Sequence, residues 1–123
     1  MPELKLETRE IESEITEMML TLGMPAHLIG YQYVRSSILR TVIEPELVTM
    51  VTKLLYPDLG KEFKTTDQKI ERAIRNAIEV SWERGQIELQ EELWGYSRED
   101  NTKRPTNSEY IAVVADFIRL KFM

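Results

Sequence analysis

Between Lys64 and Asn76 the chain reads KTTDQKIERAIRN, a run of side chains suited to hydrogen bonding with nucleic acid. Arg72 and Arg75 each carry a planar guanidinium fork that matches O6 and N7 of guanine. Gln68 and Asn76 supply the donor–acceptor pair that complements N6 and N7 of adenine. Glu71 can accept from a cytosine amino group or hold an arginine in place. Lys64, Thr65, Thr66 and Lys69, together with the amides of a helix start, suit phosphate oxygens. This is recognition chemistry, with no covalent step in it.

These residues must lie on one surface to act together. At about 100° per residue, Ile70, Ile74, Ala77 and Ser81 fall within about 40° of one line, with Ile78 beside them. That stripe faces a core. Gln68, Arg72, Arg75 and Glu79 fall on the opposite side, and Lys69 and Asn76 extend it, so Arg72 is at the centre of the outward face. An ordinary solvated helix carries a similar face, and the Glu71–Arg75 spacing is also that of a surface ion pair. The pattern leaves both readings open.

Other chemistry has little support. The chain has no cysteine and one histidine, His27, so thiol catalysis, thiolate metal sites and histidine triads are absent from the sequence. His27, behind Pro25, reads as a helix-start or packing residue. Glu91 and Glu92 are adjacent and diverge on a helix, so they form no acid–base pair. Tyr31, Tyr33 and Tyr56 could stack on bases, but their helical spacing and the lack of a basic groove read as packing. Trp82 and Trp94 read as anchors joining two helices to the core. No cofactor, metal or small-molecule substrate is expected, and the chain does not read as an enzyme.

The 123 residues suit one domain, and 42% hydrophobic content is enough for one core. No run approaches the ~20 apolar residues of a membrane span, and the absence of cysteine fits a reducing cytoplasm. The net charge of −5 argues against a blanket polyanion binder. The charge is uneven. Residues 61–76 hold five basic and three acidic groups, whereas residues 1–60 hold five and nine. A polar loop, SREDNTKRPTN, adds Lys103 and Arg104, placed to reach phosphates.

The elements that would position these groups are helices. Prolines and glycines punctuate apolar residues at helical spacing, and no stretch alternates long enough for a strand. The first helix is expected over Thr8–Leu22, with Thr8 as cap and residues 1–12 as lead-in to a domain over 13–123. A second runs from Ala26 to Ile43, burying Ile29, Tyr33, Ile38 and Val42 or their neighbours. A third begins at Pro45 and ends at a Tyr56-Pro57-Asp58 break, where Asp58 caps a short helix to Phe63. Thr65 or Thr66 caps the longest helix, which ends at Gly85. A short helix over Gln86–Trp94 and a last one from Thr106 complete an all-α domain of six main helices. The short helix, tight turn and long helix between Tyr56 and Gly85 form a helix-turn-helix layout.

With those motifs in view, the sequence resembles the C-terminal effector domains of the stage 0 sporulation protein A family of endospore-forming bacteria. The resemblance lies in GMPAHLIGYQYVR (Gly23–Arg35), TKLLYPDLGKEFKTT (Thr52–Thr66), IERAIRNAIEVSWERG (Ile70–Gly85) and KRPTNSEYIAVVAD (Lys103–Asp116). It implies a six-helix transcription regulator that binds tandem TGTCGAA-like sites in double-stranded DNA and both activates and represses. It implies base contacts from Glu71, Arg72 and Arg75, and pairing of two copies on DNA. It further implies contact between the polymerase sigma subunit and the segment Gln86–Gly95, where Glu88, Glu91 and Glu92 suit a basic surface. The resemblance also implies an N-terminal receiver of a phosphorelay. Met1–Glu12 is too short to be one, so the chain reads as an excised effector domain or else as a stand-alone relative. The expected location is the cytoplasm, at the nucleoid. The competing reading is an α-helical protein-interaction module without specific DNA binding.

Overall fold

The structure is a computed structural model and describes residues 2–95 and 104–122, with side chains from residue 7 onward. Six α-helices are described: α1 (Pro2–Thr21), α2 (Ile29–Ile43), α3 (Tyr56–Phe63), α4 (Asp67–Arg84), α5 (Ile87–Trp94) and α6 (Asn107–Phe122). No strand occurs among the described residues, so the fold is all-α.

The apolar positions read from the sequence converge on one core. Ile15 and Met19 of α1, and Leu22 just after it, meet Val34 and Ile38 of α2, Leu59 of α3, Ile70, Ile74 and Ile78 of α4, and Ile111, Val114 and Ile118 of α6, all fully buried. Each such side chain contributes roughly 1.5–3 kcal/mol by leaving water. The central element is α2, which packs against α1, α4 and α6. Its crossing with α4 is close because Gly30 faces Ala73 and Ala77; a Cβ at Gly30 would overlap the Ala73 carbonyl.

Three expectations are corrected. The first helix begins at Pro2 and runs through Thr8, which is therefore an interior residue and not a cap. The second begins at Ile29, after a turn closed by Leu28 N–H donating to Pro25 O at 3.3 Å. That later start leaves Ile29 71% exposed and buries its neighbours Gly30 and Tyr31 instead, while Tyr33 is half-buried and Ile38 and Val42 are buried.

The third helix is not one element. Pro45–Thr49 forms a 3-10 turn, Met50 interrupts it, and Val51–Leu55 forms a π-helical turn that continues into α3. The Tyr56-Pro57-Asp58 sequence is thus no break. Pro57 lies in the first turn of α3, where proline is tolerated. Asp58 lies within that first turn and does not cap it.

The aromatic anchors hold as read. Trp94 of α5 packs edge-on to Trp82 of α4 at 5.5 Å between centroids and lies 5.3 Å from Tyr110 of α6. Gln90 completes the attachment, its Nε2 donating to the carbonyls of Ser81 and Trp82 at 3.3 and 3.2 Å.

Candidate nucleic-acid interface

The connection between α3 and α4 is three residues, Lys64-Thr65-Thr66, the short turn of a helix-turn-helix. Lys64 takes a left-handed conformation, φ 54°, which reverses the chain at the end of α3. Thr65 N–H then donates to Gly60 O at 2.9 Å, satisfying a carbonyl of the last turn. Gly60 permits this, because a Cβ there would lie 2.9 Å from Thr65 O. Thr66 caps α4: its Oγ1 accepts from Lys69 N–H at 3.2 Å. Of the two threonines offered as caps, Thr66 is the one that caps.

The turn presents α4 with its polar side outward. Gln68, Lys69, Arg72, Arg75 and Asn76 are exposed, Glu71 is half-buried, and the opposite stripe of Ile70, Ile74, Ala77, Ile78 and Ser81 is buried. The face drawn from helical periodicity is therefore assembled as drawn. Within it, Arg75 Nη2 donates to Glu71 Oε2 at 3.0 Å. No ion pair among the described residues engages Arg72, Lys64 or Lys69.

A groove flanks α4 on each side. One, about 600 Å³, runs between α4 and α2 and has an apolar lining that includes Ile29, Tyr33 and Ala73 beside Lys69, Arg72 and Asn76. The other, about 650 Å³, is lined by Glu71 and Arg75 on one side and Arg104, Thr106 and Asn107 on the other. Arg104 Nε donates to Glu79 Oε1 at 3.2 Å, so the end of the polar loop reaches α4 itself. Lys103 lies outside the described residues. Tyr56 lies at the floor of this groove. Burial raises the pKa of its hydroxyl above the ordinary tyrosine value; Asn107's hydrogen bond lowers it, Glu71's charge raises it and Arg75's lowers it.

The acidic helix α5 is attached at the far end of α4, through the Gln90 bonds to Ser81 and Trp82. Glu88 and Glu92 are exposed there and Glu91 is half-buried. From Gln68 to Ser81 the helix rises about 20 Å, which separates these carboxylates from the start of the polar face. Sequence reasoning missed two features near the interface. Exposed Ile29 beside Arg72 has no periodic signal, because it lies at the unpaired start of α2. The outer flank of α3 is tied to α2 by Arg40 Nη2 and Ser36 Oγ, which both donate to Glu62 Oε1, at 2.7 and 2.8 Å.

Among the described residues no cluster of His, Cys, Asp or Glu could hold a metal, and no helix is long and apolar enough to cross a membrane. The interface thus offers exposed guanidinium, amide, ammonium and hydroxyl groups on a helix presented by a three-residue turn. The family model described as sporulation initiation factor Spo0A C terminal matches residues 15–118, and the chain belongs to this family of DNA-binding effector domains, which regulate transcription in the initiation of sporulation.

Proposed function

We propose that α4 lies in the major groove of double-stranded DNA and reads a TGTCGAA-like element. Arg72 and Arg75 read guanines, Gln68 and Asn76 read adenine edges, and Glu71 orients Arg75 or accepts from cytosine. Lys64, Thr65, Thr66 and Lys69 at the helix start, with Arg104 beside its middle, hold phosphates, and Lys103 of the same loop is assigned to phosphates from its sequence. The observation that carries this reading is Arg72, exposed at the centre of the outward face of α4 and engaged in no ion pair among the described residues.

The finer assignments extend the family's DNA-binding role. Tandem elements would bring two copies of the chain together on DNA. Glu88, Glu91 and Glu92, at the other end of α4, would meet a basic surface of the polymerase sigma subunit while the start of α4 remains on DNA. The activity is binding and not catalysis, and its partner places it at the nucleoid in the cytoplasm.

A mobility shift at physiological salt tests the reading, with a TGTCGAA duplex against a scrambled one. The wild type should prefer the element, and Arg72→Ala should lose about 1–3 kcal/mol on it and relax its specificity. Wild-type preference retained by Arg72→Ala removes that residue from the base contacts. Equal or absent binding to both duplexes, with capture of a sigma subunit, would instead favour the protein-interaction module.

A further inference from the structure

Asn107 is the first residue of α6 and only 9% exposed. The helix does not need this side chain to begin. Thr106 Oγ1 accepts from Glu109 N–H at 3.1 Å while Glu109 Oε1 accepts from Thr106 N–H at 3.2 Å, a reciprocal capping box. The Asn107 amide is directed away from its own helix. Its Nδ2 donates to the Tyr56 hydroxyl at 3.0 Å and to the backbone oxygen of Glu71 at 3.3 Å.

Tyr56 opens α3, and Glu71 lies in the second turn of α4. One amide group therefore joins α6 to both helices of the helix-turn-helix. A helix carbonyl has a second lone pair, so Glu71 O can take this external bond without leaving its own ladder. Buried polar groups of this kind cost stability unless satisfied, and their return is a unique geometry.

The geometry matters at this place. Glu71 immediately precedes Arg72 and pairs with Arg75. A rotation of α4 by ~10° about its axis moves a group ~6 Å from that axis by ~1 Å. Working contacts tolerate about 0.5 Å.

We propose that Asn107 and Tyr56 are positioning residues for base recognition, fixing the rotation of α4 and with it the aim of Glu71, Arg72 and Arg75. The inference rests on the reading of α4 as the base-reading helix.

The test compares wild type, Tyr56→Phe, Asn107→Ala and the double variant on the TGTCGAA duplex, on duplexes with one base pair changed, and on scrambled DNA, with helix content and thermal unfolding measured alongside. Tyr56→Phe keeps the ring and removes only the acceptor, so it decides the matter even where Asn107→Ala folds poorly. The preference for the element over scrambled DNA should fall about five- to tenfold. Scrambled-DNA affinity and the salt slope should stay unchanged, since no phosphate contact is removed. The double variant should lose no more than Asn107→Ala alone, because that substitution already removes the bonds to both Tyr56 and Glu71. A folded Tyr56→Phe that melts earlier yet keeps wild-type preference would show a merely structural role and overturn the proposal, as would losses that multiply in the double variant. A wild type without preference defeats the base-reading helix and the proposal with it; a discriminating wild type beside equally discriminating variants defeats the proposal alone.

Discussion

Arg75 and Glu71 stand one turn apart on the outward side of α4, with Nη2 3.0 Å from Oε2 and both side chains open to water, at 45% and 38% exposure. An ion pair so exposed contributes only about 0.3–0.5 kcal/mol. Its consequence is for DNA: the carboxylate occupies the fork that Arg75 would present to a base, and it adds negative charge where phosphates approach. Glu71→Ala should therefore change stability by no more than about 0.5 kcal/mol. Affinity for scrambled DNA should rise and the preference for the element should narrow. Urea unfolding and competition binding at one fixed salt concentration measure the two effects separately.

Lys64 combines two properties that a single substitution separates. Its φ of 54° is a left-handed conformation that glycine adopts without strain, whereas a side chain there costs about 1 kcal/mol. Lys64→Gly should thus stabilise the domain by up to about 1 kcal/mol, reduced by glycine's greater freedom in the unfolded chain. It also removes an exposed charge at the start of α4. Binding should weaken equally on cognate and scrambled duplexes, and the logarithmic salt slope should fall by about one. A more stable protein that binds DNA less tightly is the expected pair of results.

Two glycines set how closely α4 approaches its neighbours. In Gly60→Ala the new Cβ would lie 2.9 Å from Thr65 O, so the turn must shift. A loss of about 1–3 kcal/mol is expected. Gly30→Ala is the more severe change, since its Cβ overlaps the Ala73 carbonyl and meets Ala77 Cβ at 3.0 Å, forcing α2 from α4 along their crossing. More than about 3 kcal/mol should be lost there. Thermal unfolding should rank wild type above Gly60→Ala above Gly30→Ala, at roughly 4 °C per kcal/mol for a chain of this size.

The outward face of α4 was legible because a buried stripe and a polar face repeat every 3.6 residues, and a threonine cap with a following glycine bracket them. The core of α1, α4 and α6 was legible for the same reason. Pro45–Leu55 was not: a 3-10 turn and a π turn give no period of their own, so the segment reads as a plain helix, and Pro57 then reads as a stop. Hydrophobic type does not decide between Ile29 and its neighbours at a helix end: Gly30 and Tyr31 are buried, and Ile29 lies in a first turn with no neighbour to cover it. The link from Asn107 to Tyr56 and Glu71 spans 51 and 36 residues. No local signal encodes a hydrogen bond at such separation; only the packing of α6 against α4 brings it about.

Tyr110 gives the fold a defined alkaline response. It is fully buried, and its hydroxyl shares a hydrogen bond with Ser81 Oγ at 2.9 Å, while Ser81 Oγ donates to Leu22 O at 2.7 Å. Burial pushes the Tyr110 hydroxyl far above the ordinary tyrosine pKa, against the lowering effect of the Ser81 bond, and burial raises Tyr56 as well. Below about pH 10 both folded and unfolded chains hold these protons, so the two groups add no pH dependence. Above it the unfolded chain releases protons that the folded chain keeps, and stability falls as pH rises toward the folded pKa. Tyr110→Phe removes one of these groups. At pH 8 it should be less stable than wild type by about 1–2 kcal/mol, the loss of one buried hydrogen bond. At pH 11 that deficit should shrink, because only wild type must deprotonate Tyr110 on unfolding. Urea unfolding of both proteins at the two pH values provides the comparison, and a deficit that stays constant would mean that Tyr110 ionises alike in the folded and unfolded chains.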